Sequence, residues 1–462
     1  MYGLVVARAR ARKLRRIDRV AVRKACNEGV VGIKPPRPVQ IDQRRAVTGN
    51  LDAPGGAVFG NPPIALDDVG ERAGLDTYGK VRSRIGGYPD VIGNLPATLL
   101  PKEMTTPGKG QIRTFFVSAG NPVLSVPDGT ALDAALEQLD LMVSLDFYVN
   151  ETNRHAHYVL PSTTYLERDD IPVAFLGLFN TPFIQVTDPV VAPAGEARQE
   201  WEVIEDISKR IGVAPYSLKA LRLLTKAGVW IKPRALVDLL LRIGPAGDLF
   251  GLRRSGLSIK KVERSPHGIV LDDDLATGVL PKKLRHSDHR VHLADPAIVS
   301  EIERLASANG DRAEFPLRLS GLRELRSHNS WMHNAPLLMR GGRTHALRMN
   351  PGDAATAGLG EAGIARIESE SGSVEVPVTL TDEMTPGTVA LPHGWGHKGG
   401  GWQLANEAGG VNFNLLAPSD PEGLERLAGM AHLNGIPVRV TAVGPVLETQ
   451  DKAGTEALAA QV

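Results

Sequence analysis

The stretch Ser327-His-Asn-Ser-Trp-Met-His-Asn334 places hydroxyl, amide and imidazole groups beside a tryptophan within eight residues. An alternating apolar run, Phe315–Leu319, and a charged turn, Ser320–Arg326, precede it, which predicts a strand that delivers the stretch to a loop. A core strand would have to pair every one of these donors and acceptors, and a solvated loop has no need of the tryptophan. The pattern therefore fits either a loop anchored by its tryptophan at a barrel rim or a loop that binds a polar ligand with flat rings.

A second polar stretch, Pro392-His-Gly-Trp-Gly-His-Lys-Gly-Gly400, lies further along the chain. His393 and His397 have the four-residue spacing of a helical zinc pair, but the glycines disfavour a helix and no glutamate stands between the histidines. We therefore interpret this stretch as a glycine-rich loop whose backbone approaches a ligand closely, with Trp395 as a wall. Two further amides follow it, Asn412 and Asn414.

Composition excludes several classes of protein. The 462 residues suffice for two or three domains, and 42% hydrophobic with 23% charged residues describes an ordinary globular chain. A net charge of +1 argues against a general nucleic-acid binder, and no apolar run approaches the roughly 20 residues that span a membrane. The single cysteine, Cys26, excludes a disulfide framework and a four-cysteine iron–sulfur or zinc site within this chain. A cytoplasmic setting is the simplest inference from it.

A strand–turn–helix–strand unit is predicted near the middle of the first half. Arg113–Val117 is an apolar strand, Leu132–Leu139 has helical periodicity, and Leu141–Leu145 is a second strand, with Tyr158–Leu160 as a third. This order predicts a parallel α/β sheet.

Ligands of such sheets lie beyond the carboxyl ends of the strands, where Gly120, Asn121 and Asp146 fall. Gly120 permits close backbone approach, Asn121 can donate and accept, and Asp146 can accept from a purine-type N–H or a ribose hydroxyl. The alternative for Gly-Asn-Pro is simply a tight turn.

Two further segments carry structural predictions. Residues 57–110 are rich in glycine and proline and are interpreted as a long surface connection. Glu200–Ile211 has the pattern of an amphipathic helix, and its apolar face is predicted to cover the sheet. The residues of that face are Trp201, Ile204, Ile207 and Ile211.

From Phe315 onward, short strands alternate with turns, which predicts a small β-barrel. The predicted strands after the first are Thr344–Met349, Ile364–Ser369, Ser373–Leu380, Val389–Leu391 and Val438–Val443.

Seven short motifs occur in order along the chain. They are Val47-Thr-Gly-Asn-Leu-Asp-Ala-Pro-Gly-Gly56, Ala119-Gly-Asn-Pro122, Asn150-Glu-Thr152 with His155-Ala156 and Val159-Leu-Pro161, Leu166-Glu-Arg168, Asn329-Ser-Trp-Met-His-Asn334, Asn350-Pro-Gly-Asp-Ala354 and Pro392-His-Gly-Trp-Gly-His397. Together they resemble the later half of bacterial molybdopterin oxidoreductases, the group that contains the catalytic subunits of formate dehydrogenase and nitrate reductase. The resemblance covers roughly residues 44–445.

The resemblance implies a Rossmann-like parallel α/β part followed by a six-stranded double-psi β-barrel. The barrel would close over a bis(molybdopterin guanine dinucleotide) cofactor that carries molybdenum or tungsten. With the two implied domains, a partial Rossmann-like domain (44–212) and the dinucleotide-binding barrel (312–445), the chain divides into five segments. The other three are interpreted from composition and pattern as a basic, disordered arm (1–43), a helical and loop connection (213–311) and a mobile tail (446–462). A nucleic-acid- or membrane-binding arm is the alternative for the first of these segments.

The resemblance also implies roles for individual residues. Asn121 and Asp146 would contact a guanosine end, and Arg168 would lie near the same nucleotide. Gly120 belongs to the same cofactor-binding set. The residues expected to line the pterin or diphosphate channel are Ser327, His328, Asn329 and Trp331. Those expected to approach the second pterin are His393, Trp395, Asn412 and Asn414.

The chain also departs from the family pattern. Family members begin with a half that carries, in many of them, an iron–sulfur cysteine set and the Cys, selenocysteine or Ser that ligates the metal. This chain has neither, so no catalytic or metal-ligating residue is assigned. One hypothesis is that the chain is a truncated, formate dehydrogenase-like oxidoreductase with a small-molecule substrate. In this hypothesis a separate chain supplies the missing half. The other is a non-catalytic cofactor-binding or complex-forming remnant. Neither predicts a nucleic-acid partner or a membrane span.

Overall fold

The computed structural model describes residues 48–216, 218–308, 314–341, 343–360 and 363–445. The predicted arm 1–43 and tail 446–462 lie outside these ranges. The chain forms two compact units, each assembled from two stretches: unit 1 is Met1–Thr77 with Thr163–Asn309, and unit 2 is Tyr78–Ser162 with Gly310–Val462. The boundaries predicted at 44–212, 213–311 and 312–445 remain predictions.

The strands are β1 (Tyr78–Arg82), β2 (Pro89–Val91), β3 (Thr114–Ser118), β4 (Leu141–Leu145), β5 (Tyr158–Leu160), β6 (Phe183–Ile184), β7 (Ile269–Val270), β8 (Leu317–Leu322), β9 (Leu347–Met349), β10 (Gly363–Glu368), β11 (Ser373–Leu380), β12 (Thr388–Pro392) and β13 (Asn434–Pro445). The α-helices are α1 (Leu66–Ala73), α2 (Leu100–Thr105), α3 (Pro122–Ser125), α4 (Gly129–Leu136), α5 (Glu200–Ile211), α6 (Lys219–Lys226), α7 (Pro233–Ile243), α8 (Ile259–Glu263), α9 (Leu280–Lys283), α10 (Pro296–Ala308), α11 (Pro336–Met339), α12 (Pro351–Thr356) and α13 (Gln403–Glu407). In the ranges that the structure describes, every helix is too short or too polar to cross a bilayer.

Unit 2 contains the predicted parallel sheet, with the strand order β3-β4-β5. Phe116 is paired with Val143, and Val143 with Tyr158, so these three side chains share one face. Helices α2 and α4 pack on the other face, where Val117 and Met142 are buried. Helix α4 begins at a left-handed Asp128, whose carboxylate accepts from the Ala131 N–H at 3.1 Å and caps the helix.

The second part of unit 2 is a closed, six-stranded barrel, in the order β10-β11-β9-β12-β8-β13. Two of its strand pairs, β8–β12 and β9–β11, are parallel, and the others are antiparallel. The long strand β13 pairs with both β8 and β10 and so closes the barrel. Along β11 exposed and buried residues alternate, because the barrel interior receives every second side chain. The predicted combination of an α/β sheet and a six-stranded barrel is confirmed.

Unit 1 contains the predicted helix Glu200–Ile211 as α5. Its predicted buried face is wrong: Val203 is buried, whereas Ile204 is 39% and Ile211 is 65% exposed. The apolar core of the unit is built instead from residues in or beside β6, α7 and α8, together with Ile64 and Leu176. Periodicity defines an apolar stripe on a helix, but the position of the core decides which stripe is covered.

Residues 57–110 do not form the structureless connection that was predicted. They contain α1, the antiparallel pair β1–β2 and α2. Tyr88 and Leu99 from this segment are buried together with Leu424. The prediction failed because these elements are short, so each is interrupted by glycine or proline before a period becomes visible.

The barrel interior offers a matched test of the packing. Leu319 is fully buried in the barrel and Leu325, just after β8, is fully exposed. Leu319→Ala should lower the free energy of unfolding by roughly 2–5 kcal/mol because it leaves a cavity, and Leu325→Ala should change it by less than about 0.5 kcal/mol. Urea unfolding followed by tryptophan fluorescence measures both, and equal losses in the two variants would contradict the barrel packing.

Candidate functional site

A buried carboxylate joins the carboxyl edge of the sheet to a loop of the barrel. Glu151 Oε2 accepts from the side-chain amide of Asn121 at 2.6 Å, just beyond β3. Its Oε1 accepts from the backbone N–H groups of Lys398 and Gly399, the latter at 2.7 Å. His397 Nδ1 lies 3.6 Å from the same oxygen. The predicted glycine-rich loop is therefore held against the predicted ligand edge of the sheet.

The environment of Glu151 keeps it ionised. Burial by itself would raise the pKa of this carboxyl, but the approach of His397 and the hydrogen bonds from the Lys398 N–H and Asn121 together lower the pKa to about 2. The sequence analysis did not single out Glu151, although the motif Asn150-Glu-Thr152 contains it.

The other residues of the sheet edge are engaged within the protein. Asp146 Oδ1 accepts from the backbone N–H groups of Phe147 and Tyr148 at 2.8 and 3.2 Å, and its Oδ2 accepts from the Asn150 amide at 3.2 Å. Burial raises the pKa of Asp146, and these hydrogen bonds oppose the rise. Gly120 is half-buried beside this edge. Asp146 therefore shapes the loop after β4, and its contact with a nucleotide stays a prediction.

The loop at 327–334 divides into a buried part and an exposed part. Ser327 is buried, and its hydroxyl donates to the Glu324 carbonyl at 3.0 Å. His328 and Asn329 both have left-handed backbones, with φ of 44° and 63°, and both are exposed. Trp331 is 55% exposed, and its ring stacks on that of His328 with a centroid distance of 5.6 Å. Residues with positive φ often mark functional loops, and the two flat rings of this loop are exposed.

Trp395 lies beneath this loop and is only 1% exposed. Its Nε1–H donates to Glu324 Oε2 at 2.8 Å, and Arg343 pairs with the same oxygen at 2.8 Å. The Arg343 guanidinium carbon is 5.6 Å from the centre of the tryptophan ring. Trp395 therefore supports the rim. Its ring is buried and does not form the predicted wall that faces a ligand.

Three histidines complete this buried layer. His345 Nε2 lies 2.8 Å from the Pro392 carbonyl, and its Nδ1 accepts from the Val411 N–H at 3.3 Å, which fits the neutral Nε2–H tautomer. Burial lowers the pKa of His333 to about 4, and the positive charge of Arg343 acts in the same direction.

Several polar atoms of this layer have no hydrogen-bond partner in the described part of the chain. They include both ring nitrogens of His333 and of His397, the indole nitrogen of Trp402 and the side-chain oxygen of Asn406. The His397 ring stacks on Trp402 at 4.8 Å. The buried layer beneath the rim therefore contains polar atoms without a hydrogen bond. Such atoms cost free energy when they are buried.

The glycines of the 392–400 loop are required by neighbouring backbone. A Cβ at Gly394 would lie 2.3 Å from the Asn329 carbonyl oxygen, and one at Gly396 would lie 2.5 Å from the Asn412 nitrogen. Both glycines have left-handed backbones, so the segment is not the helix that a zinc pair at this spacing needs. At these two positions the backbone packs closely against protein, and the predicted close approach of the loop to a ligand stays a prediction.

The remaining predicted residues are Asn412, Asn414, His393 and Arg168, and all of them except Arg168 belong to unit 2. Asn412 Oδ1 accepts from the Asn414 N–H at 2.9 Å, and the Asn414 amide donates to the Leu124 carbonyl in α3 at 2.8 Å, so this pair ties the barrel to the sheet. His393 is half-buried beside the rim. Arg168 belongs to unit 1, where its guanidinium pairs with Glu200 at 3.1 Å. The structure thus brings together in unit 2 every predicted site residue except Arg168.

Two family models match the chain. One described as "Molybdopterin oxidoreductase" matches residues 40–210, and one described as "Molydopterin dinucleotide binding domain" matches residues 317–426. The second match covers β8 to β12 and the rim loops that follow them. No set of three or more His, Cys, Asp or Glu side chains arranged to hold a metal ion occurs among the residues described.

Individual relatives are similar over part of their length. Acetylene hydratase of Syntrophotalea acetylenica is 23% identical over 73% of this chain and 45% of its own. Dimethyl sulfoxide/trimethylamine N-oxide reductase of Rhodobacter capsulatus is 24% identical over 61% and 36%. The thiosulfate reductase molybdopterin-containing subunit of Salmonella typhimurium is 37% identical over 23% and 14%. The solved structure of acetylene hydratase from Pelobacter acetylenicus aligns with a TM-score of 0.47 and 22% identity, over 75% and 46%. The chain thus spans less than half the length of each.

The ionised Glu151 generates a prediction about acid stability. The pKa is about 2 in the folded chain against an ordinary 4.5, so the contribution of this group is complete above pH 4.5 and is lost as the pH falls toward 2. Glu151→Gln should lower the free energy of unfolding by on the order of 3 kcal/mol at pH 7, and the difference from the parent should shrink below pH 4.5.

The control for this prediction is Glu383→Gln, because Glu383 is exposed. Denaturant unfolding at pH 7 and in steps down to pH 3 measures both variants. A deficit of Glu151→Gln that does not depend on pH, or that Glu383→Gln matches, would contradict the account of the buried carboxylate.

Proposed function

Because the chain belongs to the molybdopterin oxidoreductase family, we propose that the rim of its barrel binds a molybdopterin guanine dinucleotide. The observation that carries the proposal is the outward-facing stack of His328 and Trp331. Flat heterocycles bind to exposed rings of this kind through stacking and apolar contact. The ring pair belongs to the loop after β8, inside the matched dinucleotide-binding segment.

The charge around the ring pair supports a ligand with phosphate groups. Three arginines of the same segment, Arg323, Arg326 and Arg340, have exposed side chains, and Lys398 is exposed on the loop held by Glu151. Guanidinium and ammonium groups are the usual partners of phosphate oxygens.

The unpaired polar atoms beneath the rim also fit such a ligand. Among the described residues, the ring nitrogens of His333 and the Nε2 of His397 have no hydrogen-bond partner, and a pterin carries donors and acceptors around its edge. In this proposal Asn121 and Asp146 orient the guanosine end, and the rim residues hold the pterin and diphosphate. The bound metal supplies the redox chemistry, and the residues of this chain bind and orient the cofactor.

We further propose that another polypeptide covers the open side of the sheet in unit 2. Parallel sheets are normally covered on both faces, but Phe116 is 40% and Tyr158 is 63% exposed on the face opposite α2 and α4. Both outer strands, β3 and β5, also lack a further partner strand among the described residues. A covering chain that supplies the remaining cofactor contacts fits this surface.

The finer assignment is a formate dehydrogenase-like enzyme with two molybdopterin guanine dinucleotides per molybdenum or tungsten atom, acting in the cytoplasm. In this assignment the chain itself holds no iron–sulfur cluster. The motifs and the single cysteine support it. The relatives are named as reductases of different substrates and as a hydratase. The motifs therefore support the choice of cofactor more specifically than the choice of substrate.

The test compares two tryptophan variants of the full chain produced in cells that make the cofactor. Trp331→Ala should reduce the guanosine monophosphate and metal released per chain at least fivefold, because it removes half of the exposed ring pair. Trp201→Ala, in a partly exposed position of unit 1, should leave the content unchanged. Mass spectrometry of molybdenum, tungsten and acid-released guanosine monophosphate measures the content.

Both variants should keep the thermal midpoint of the parent within a few degrees, which separates binding from folding. Trp395→Ala is unsuitable for this test because that ring is buried. Equal cofactor content in the two variants, or a parent that carries neither metal nor guanosine monophosphate, would contradict the proposed function.

A further inference from the structure

Unit 1 contains a long stretch of one charge sign. Between residues 207 and 237 the sequence has no aspartate or glutamate, although charged residues make up 23% of the chain. The cations of this stretch are Lys209, Arg210, Lys219, Arg222, Lys226, Lys232 and Arg234. Helix α6, Lys219–Lys226, lies at its centre.

Helix α6 is amphipathic, but most of its apolar side is exposed: Ala220, Leu223 and Leu224 are exposed, and Leu221 is half-buried. At 100° per residue, Ala220, Leu221, Leu223 and Leu224 fall on one side of the helix and its three cations on the other. None of its residues is buried, and Leu223 is 70% exposed. Val229, just beyond the helix, is 49% exposed. An apolar stripe normally faces a core, and a contiguous exposed one marks an interaction surface.

The cations of this helix are available to a partner outside the chain. Lys219, Arg222 and Lys226 are exposed, and none of the described residues lies within ion-pair distance of them. Arg234 is different, because its guanidinium pairs with three carboxylates, those of Asp169, Asp188 and Glu263. The free positive charge of this helix therefore lies on the element that also exposes Leu223 and Leu224.

We propose that α6 and its flanks, residues 218–230, dock this protein on a membrane surface that contains anionic lipid. In this arrangement the leucines enter the boundary between headgroups and acyl chains, and the lysine and arginine stems reach up to the lipid phosphates. Trp230 lies at the end of the segment with the Lys209 ammonium 5.1 Å from its ring centre, and tryptophan favours such interfaces.

A bilayer fits this surface better than a protein partner does. A specific protein interface usually takes about 20–30 residues from each side, and the exposed segment is a two-turn helix with short flanks. A uniformly anionic surface also matches a stretch without any acidic residue, and it demands no shaped groove. Because the helix is short and its charges are screened by salt, the docking is reversible and weakens with ionic strength.

The first experiment is flotation of the full chain with vesicles of phosphatidylcholine alone or with about 30% phosphatidylglycerol added, a content that gives a strongly anionic surface. The parent should float only with the anionic vesicles, and less at high salt. Lys219→Glu/Arg222→Glu/Lys226→Glu and Leu223→Ser/Leu224→Ser should each reduce the bound fraction at least fivefold.

A matched control removes the same charge elsewhere. Lys80, Lys109 and Arg348 are exposed cations of unit 2, and Lys80→Glu/Lys109→Glu/Arg348→Glu should float like the parent. Equal losses in the two triple variants would show attraction by net charge alone and would overturn the proposal. A serine variant that floats like the parent would also overturn it, because the leucines would then take no part. Circular dichroism confirms that each variant is folded.

A local probe separates α6 from the basic arm at 1–43, which also carries cations. An environment-sensitive dye on Leu223→Cys, in a chain with Cys26→Ser, should shift its emission to the blue on anionic vesicles only. Flotation without a shift would assign the binding to another part of the chain and would overturn the proposal. Absence of flotation, combined with binding of an acidic amphipathic peptide at the dye, would overturn it in favour of a protein partner.

Discussion

The site in unit 2 depends on the buried carboxylate of Glu151. One oxygen holds the Asn121 amide at the end of β3, and the other holds two backbone N–H groups of the loop that follows β12. The loop can approach this closely because residue 399 is glycine: a Cβ there would lie 2.7 Å from the Asn150 Cα. The combination aligns the carboxyl edge of the sheet with the rim of the barrel, although the joined residues are 248 positions apart.

The rim itself has two layers with different chemistry. The lower layer is buried and polar, with Trp395 and Arg343 both directed at Glu324. The upper layer carries the exposed rings of His328 and Trp331. The hydrogen bond and the ion pair to Glu324 hold the loops in place, so that the outward-facing rings and cations need little reorganisation when a ligand binds. This division explains why two tryptophans of family motifs differ in role: Trp395 is a buried support, and Trp331 is a candidate for ligand binding.

Elements with an uninterrupted apolar period could be predicted from the sequence. Leu141–Leu145, Ser373–Leu380 and Glu200–Ile211 have the predicted bounds, because the apolar pattern runs through each of them without a break. In the second of these, Pro377 occupies an exposed position and leaves the alternation intact. The covered face of the last was predicted wrongly, since the sequence of one helix does not contain the location of the core. Burial of Trp395 could not be predicted for the same reason: a tryptophan between two glycines suits an exposed wall and a buried support equally well.

The role of Glu151 was also beyond local sequence. It lies in a polar segment between Asn150 and Thr152 and looks like an ordinary turn residue there, because its partners come from a distant part of the chain. The same applies to the glycines of the 392–400 loop, whose need for small side chains arises from neighbouring backbone. Both features depend on close contact between residues that are far apart in the sequence, which a local pattern does not reveal.

The role of the Glu151 carboxylate is tested most directly by amide hydrogen exchange. Exchange is measured at residues 397–401 in the parent and in Glu151→Gln at neutral pH. Lys398 and Gly399 should exchange slowly in the parent, because their N–H groups donate to the buried carboxylate. In the variant these two amides should exchange much faster, while the strands β8 and β12 keep their protection. Identical exchange at 397–401 in both chains would contradict the account, because the loop would then be held without the carboxylate.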